Sequence, residues 1–453
     1  MRQMTMVGFL QAQNCTNFVG SWRHPQAAQD FTSAEYYRRI ARALEAGKFQ
    51  LAFFDDRLAM PDMFAGDHAH TVENGIRCVK MDPVTILTVM GMATTRLGLG
   101  STYTTTYYEP FHVARVFATL DLMTEGRAAW NVVTSMNDNE ARNMGQSSHA
   151  DHDRRYDRAD EFMEVVTGHW DSWEDGAIVA DRETGLFAHP DKVHRLDYKG
   201  EFFQSRGPFT VPRSAQGHPV IIQAGQSGRG TTFAARWAEC VFVAYHGLER
   251  ARIDYAAFKQ KVADAGRDPE LVKVCAGVYP VVAPTRAEAE DKAALIDKLP
   301  KEIDSLSLLS EVLNVDMAKQ PIDEPYTQEE LDSWTGAQAA KDRIKRELGG
   351  RLPSPRDFMN VTRRGTFHDH PRFVGSPKDV ADGMEEWFST RACDGFVIAA
   401  SHVPGAYEEF STLVVPELQR RGLFHLDYAG TTLRENLGLA RAEVGRWRRG
   451  SVA

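Results

Sequence analysis

The sequence predicts an α/β fold: a (β/α)8 barrel of the TIM type with insertion segments over its C-terminal mouth. Three observations carry that prediction. Eight short apolar runs rich in β-branched and aromatic residues are spread along the 453 residues, as buried strands require. Most are continuous rather than alternating, which suits a parallel sheet covered by helices. Amphipathic helical patterns separate them, and β–α alternation builds either a barrel or a doubly wound open sheet. The count of eight favours the barrel.

The first run, 4–12, precedes "SAEYYRRIARALEAGK" (33–48). There Ser33 is a helix N-cap, Tyr37, Ile40, Ala41 and Leu44 share one face, and Gly47 is the stop. Strand 50–56, "QLAFFDD", leads to a helix capped by Asp82 with Pro83 at its first position. Strand 97–106 and helix 112–126 follow, then strand 128–135 and helix 155–170. Strand 219–225 runs through "QAGQSGRG" directly into a helix, and strand 239–245 precedes helix 249–266. Strand 272–283 is followed by helices at 286–297 and 376–391, and strand 394–400 is the eighth. Two segments break the alternation, about 174–217 and 300–372, and are expected to be insertions covering the mouth of one domain spanning 1–453.

Composition narrows the function. The net charge of −9 argues against nucleic acid and anionic membrane as partners. No run reaches the roughly 18 apolar residues of a membrane span. Five cysteines, Cys15, Cys78, Cys240, Cys275 and Cys393, form no CxxC pair, and with no signal peptide at the N-terminus the expected compartment is the cytoplasm. There is no GxSxG elbow, no Walker A motif and no GxGxxG after a strand. The groupings His149, Asp151, His152 and Asp153, and His368, Asp369 and His370, match no metal-binding spacing, so no metal is expected.

In a barrel the strand C-termini form the active site. Here they offer Phe53, Phe54, Asp55 and Asp56, then Thr102, Thr104, Thr105 and Thr106, then Asn131, Thr134 and Ser135. The free N–H groups of "QAGQSGRG" at a helix start suit a phosphate, although Gly225 and Gly228 also read as a plain tight turn. His152 and Tyr156 lie four apart on one helical face and either enter the mouth or stay solvated. A mouth rich in Thr, Ser, Asn and aromatic groups and poor in nucleophiles suits a planar, polar-edged cofactor that carries the chemistry itself.

A family resemblance joins these residues. The segments "GSWRHP", "YYRRIARALEAGKFQLAFFDDRLA", "TTTYYEPFHVARVFATLDLMTEGRAAWNVVTS", "EARNMG", "HDRRYDRADEF", "GPFTVPRSAQGHPVIIQAGQS", "DGFVIAA", "VVPELQRRGLF" and "YAGTTLRENLGL" occur in order along nearly the whole chain. Together they resemble the flavin-dependent two-component monooxygenases of the bacterial-luciferase superfamily, in the branch of nitrilotriacetate, EDTA, dibenzothiophene-sulfone and long-chain alkane monooxygenases. The resemblance implies reduced FMN (FMNH2) supplied by a separate NAD(P)H:flavin reductase, O2 as co-substrate, and a homodimer or homotetramer. By position it places Asp56, Thr102, Asn131 and Ser135 along the flavin, and His152, Tyr156, Ser227 and Gly228 at its phosphate. An apolar, water-poor pocket is expected from Phe9, Phe18, Trp22, Phe53, Phe54, Phe242 and Tyr245, with plain barrel packing as the competing role for Phe53.

Two departures bear on the substrate. "TNFVGS" gives the wall an apolar Phe18 and Val19 where sulfone-acting relatives carry histidines, which favours an aromatic, sulfur-containing or halogenated molecule. Hydroxylation, C–S cleavage and oxidative dehalogenation are the expected outcomes, with N-dealkylation of an aminopolycarboxylate as the alternative. A chelator pocket calls for several inward cations, and only Arg23, Arg57 and Arg77 are candidates. The second departure is Arg57, which stands after Asp56 where the family usually places a small residue, and it is expected to pair with Asp55 or Asp62 rather than to reach a substrate anion. A barrel lyase using a phosphorylated substrate is the further alternative.

Overall fold

The computed structural model describes residues 2–445 apart from 136, 227, 335, 337 and 362–369. Eight parallel strands close on themselves: β1 (Thr5–Gln11), β2 (Leu51–Asp55), β3 (Gly98–Thr104), β4 (Ala128–Val133), β5 (Val220–Gln223), β6 (Cys240–Val243), β7 (Lys273–Val282) and β8 (Gly395–Ala399). Each pairs with the next, and β1 also pairs with β8, so no edge is left in the ring. The intervening helices are α1 (Ala34–Ala46), α2 (Pro83–Gly91), α3 (Pro110–Met123), α4 (His152–Trp170), α5 (Gly228–Trp237), α6 (Leu248–Asp264) and α7 (Pro377–Ser389). The barrel expected from the sequence is therefore the one observed.

Local chemistry explains the helix starts. The Ser33 side chain accepts from the Tyr36 N–H, and the Asp82 carboxylate accepts from the Val84 N–H at 2.8 Å. Strand alternation divides the core into two. Val7, Leu51, Phe53, Ala129, Ile222, Phe242, Cys275 and Val397 fill the barrel interior, while Met6, Leu10, Ala52, Phe54 and Ala276 face the helices. Trp130 is wholly buried on the helical side and donates its indole N–H to the Tyr103 carbonyl at 2.9 Å.

The floor of the barrel is closed by the C-terminal segment. Leu433, Leu437 and Leu439 join the interior cluster from below, and the Leu433 N–H bonds the Gly126 carbonyl just before β4. Arg434 anchors this plug, its guanidinium gripping both oxygens of buried Glu239 at 2.7 and 2.8 Å.

The two irregular segments go to different places. Residues 174–217 leave the C-terminal end of α4 and return to the N-terminal end of β5. A connection of that kind belongs to the flank and floor of a barrel. Glu161 on α4 accepts N–H bonds from Phe202 and Phe203, and Gln216 bonds Asp121 and the Ala128 carbonyl. The expectation that this segment covers the mouth is corrected. The described part of 300–372 does cover it, because its helix Glu302–Leu313 reaches the loops after β1, β2 and β4. A short strand, Arg372–Gly375, returns alongside the upper half of β7 and was not anticipated.

Candidate active site

β3 and β4 end in adjoining polar side chains. Asn131 Nδ2 donates to Thr102 Oγ1 at 2.8 Å, and the Ser135 hydroxyl donates to Thr104 Oγ1 at 3.0 Å. Asn131 Oδ1, Thr106 Oγ1 and Tyr107 Oη are buried and find no partner among the described residues. Buried polar atoms are otherwise hydrogen-bonded as a rule, and these orphans fall at the ends of the paired strands β3 and β4. Ser135 holds a left-handed φ of 42°, a conformation that L-residues adopt at a cost.

What holds that turn is a feature the sequence did not disclose. Arg155 on the first turns of α4 donates to the Thr134 carbonyl at 3.3 Å and to the Ser135 carbonyl, and Arg158 donates to the Thr105 carbonyl. Burial lowers the pKa of both guanidinium groups. The helix thus clamps both strand ends from outside. The only available signal was the spacing of basic residues at the start of α4, which reads equally as a solvated face.

Next along the ring is the turn between β5 and α5. The Gly225 N–H donates to Gln223 Oε1 at 2.7 Å. A Cβ at Gly225 would lie 2.4 Å from Gln223 Nε2 and 2.9 Å from Tyr156 Oη, so only glycine fits under that hydroxyl. Buried Tyr156 is braced edge-on by Phe233 at 5.7 Å. Gly228 opens α5 and has nothing within 4 Å of its Cβ position, leaving the helix N-terminus accessible. The Tyr156 hydroxyl therefore stands over Gly225, three residues before Gly228 at the start of α5. Ser227 and the side chain of His152 lie outside the described residues.

Across the ring, Asp55 at the end of β2 is paired with Lys80 at 2.6 Å. Its neighbour Asp56 is pushed up to about 7 by burial, which outweighs the nearby Lys80. Arg57 makes no ion pair with Asp55 or Asp62 among the described residues, so the expected structural pairing is corrected: Lys80 has taken Asp55. Arg23 is no substrate ligand either, since its guanidinium is committed to Asp304 and to the Asn74 carbonyl.

The apolar residues divide by strand parity. Phe53 stacks on Phe9 at 5.7 Å and meets Phe242 at 4.7 Å, forming an aromatic floor inside the barrel. Phe18 packs edge-on against Tyr279 at 6.4 Å on the wall above. Phe54 and Tyr245 are corrected. Adjacent residues of a strand face opposite ways, and these two enter the helical layer, Phe54 against Tyr37 at 6.1 Å. Trp22 ties the loop after β1 to Asn74 through its indole N–H at 3.0 Å.

The lid closes over this cavity through Glu311, which accepts from the Asp62 and Met63 N–H groups at 2.8 Å and from Asn139 at 2.9 Å. His370 comes in beside β7: a Cβ on Gly277 would strike its ring at 2.4 Å. Among the described residues no group of three His, Cys, Asp or Glu side chains could hold a metal, and no helix is long and apolar enough to cross a membrane.

Similarity to known proteins agrees with this geometry. The chain is 42% identical over 451 residues to the dibenzothiophene-sulfone monooxygenase of Rhodococcus erythropolis, covering 97% of each. It is 39% identical over 450 residues to nitrilotriacetate monooxygenase component A of Aminobacter aminovorans, again covering 97% of each. Its fold superposes on the crystal structure of a riboflavin lyase with modified FMN and riboflavin, with a TM-score of 0.87 at 28% identity over the full length of both chains. Residues 14–393 match the model of one family. On fold, strand-end chemistry and sequence together, the chain belongs to the luciferase-like monooxygenase family.

Proposed function

We propose that this chain is the oxygenase component of a two-component system, using FMNH2 delivered by a separate NAD(P)H:flavin reductase and O2 to oxidise a small organic molecule. The observation that carries this reading is the set of orphaned polar atoms at the β3 and β4 ends, adjoining the β5–α5 turn whose helix N-terminus is open. Neutral amide and hydroxyl groups of this kind grip carbonyls and ring nitrogens of a flavin without adding charge. Tyr156 and the N–H groups at Gly228 suit its phosphate. The name of the FMN-containing structural relative and the word "component" in that of the nitrilotriacetate enzyme support the cofactor and the partner.

When bound, reduced flavin supplies the electrons that activate O2. The residues do the rest. Phe9, Phe53 and Phe242 keep water from the interior side of the cavity, and the lid helix excludes it from above. Asp56, whose pKa lies near 7, can hold or release a proton at its carboxyl during turnover. The aromatic floor and the apolar wall of Phe18 favour a substrate with an apolar or aromatic body, oxidised by C–S cleavage, oxidative dehalogenation or hydroxylation. The test is anaerobic titration with FMNH2, followed by fluorescence. Saturable binding, weakened about 5-fold by Tyr156→Phe through loss of about 1 kcal/mol, is expected. A chain that ignores FMNH2 but binds a phosphorylated sugar would point to a barrel lyase instead.

A further inference from the structure

Two arginines at the mouth lack the counter-charges that all their surroundings could have supplied. Arg77 carries one hydrogen bond, from Nη2 to the Asn17 carbonyl at 2.8 Å, while its Nε is buried with no partner among the described residues. Its backbone is left-handed, at φ 52°. The charged and titratable groups around it are Arg57, Asp55, Cys15 and Tyr279. Of these, Asp55 is already held by Lys80, Cys15 stays a thiol because burial pushes it up, and the Tyr279 hydroxyl donates to the Ala400 carbonyl. Arg57 has Glu311 within electrostatic range, but the Glu311 carboxylate is filled by two backbone N–H groups and Asn139. Neither arginine forms an ion pair among the described residues, and the nearby Arg57 adds to the electrostatic cost of holding Arg77 charged.

Position in the ring says what such a pair is for. Arg77 is fixed to the segment after β1 and stands beside the ends of β2 and β7, whereas Gly228 belongs to the β5–α5 turn and the Tyr156 hydroxyl reaches that turn from α4. In an eight-stranded ring closed in chain order, β1 and β5 are opposite one another. The arginines thus face the open helix N-terminus across the cavity, on the side away from it. Gln11 Nε2, at the end of β1 and in register with Asp55, is a second buried donor without a partner among the described residues. Two unfilled buried donors, Arg77 Nε and Gln11 Nε2, with the unpaired charge of Arg57 above an aromatic floor make a complementary surface for a planar or tetrahedral anion attached to an apolar body.

We infer that Arg77 and Arg57, with Gln11, bind an anionic group of the substrate, so that the substrate class is an organic sulfonate, sulfinate or carboxylate whose apolar part lies over Phe9 and Phe53. This rests on the monooxygenase reading of the same cavity and names its specificity. The reacting carbon–sulfur or carbon–heteroatom bond then lies between the anionic anchor and the opposite wall.

The test uses two probes of similar shape, benzenesulfonate and uncharged methyl phenyl sulfone, titrated calorimetrically into the whole protein with and without FMNH2 under anaerobic conditions. The expected result is that the sulfonate binds at least 10-fold more tightly than the sulfone. Arg77→Met should remove that preference, Arg77→Lys should restore part of it, and Arg57→Met should reduce it, with the FMNH2 affinity unchanged in all three. Equal binding of the two probes overturns the inference. So does a loss of FMNH2 affinity in Arg77→Met with the sulfonate preference intact, since the arginines would then serve the flavin. A sulfonate preference in a chain that never binds FMNH2 would leave the anion site standing and remove the monooxygenase reading. Circular dichroism and urea midpoints of the variants identify any that fail to fold, and Arg77→Lys then carries the comparison.

Discussion

Asp56 shows how a single residue carries both stability and function. Its carboxyl is raised from 3.8 to about 7 because burial penalises the charge. Between about pH 4 and 7 the folded chain therefore holds a proton that the unfolded chain releases, so this group's contribution to stability is full below pH 4 and is lost as pH rises through 7. Asp56→Asn should flatten that dependence: between pH 5 and 8 the wild type should lose about 2 kcal/mol more than the variant, partial solvent access having reduced the full linkage value. Urea midpoints at the two pH values check this, and parallel curves would place the proton elsewhere. Asn131 is the complementary case, a neutral group whose free Oδ1 has a cost only until a ligand fills it. Asn131→Ala should lower FMNH2 affinity about 5-fold while leaving the urea midpoint near that of the wild type. Equilibrium titration and unfolding on the same preparation separate the two effects.

At the scale of elements, the strands and their order were legible because continuous apolar runs of strand length are hard to place anywhere but in a covered parallel sheet. The polar strand end of β4 was legible for the same reason, since Asn131 and Ser135 interrupt an apolar run. Parity was not. "FFDD" gives no clue which phenylalanine faces inward, and a shift by one residue exchanges Phe53 and Phe54 between cavity and helical layer. Nor could spacing show that Arg155 and Arg158 turn inward to carbonyls, or that 174–217 runs to the floor, because both depend on contacts distant in sequence. The closing seam is a stringent element: a Cβ at Gly395 would lie 2.0 Å from the Thr5 carbonyl oxygen. Gly395→Ala should therefore push β8 from β1 and destabilise the fold by about 2 kcal/mol or more. A unchanged thermal midpoint would show that the seam can yield.

For the whole molecule, the barrel is a vessel closed at both ends by segments outside its eight repeats. Below, the plug of Leu433, Leu437 and Leu439 depends on Arg434 and Glu239, each only a few per cent exposed. Arg434→Met strands a buried carboxylate and should cost about 3–5 kcal/mol, seen as a fall in the urea midpoint. The double variant Arg434→Met, Glu239→Gln should recover part of it. Above, the lid helix joins loops from three strands and keeps bulk water from the cavity. On the proposed function, closure at both ends keeps a reduced flavin from spending its electrons on O2 without touching a substrate. The most direct test of that claim is to mix the FMNH2-loaded protein with O2 in a stopped-flow spectrometer and follow flavin reoxidation. The account predicts reoxidation at least 10-fold slower than that of free FMNH2, and its return toward the free rate in Asn131→Ala. Reoxidation of the loaded wild type at the rate of free flavin would contradict it.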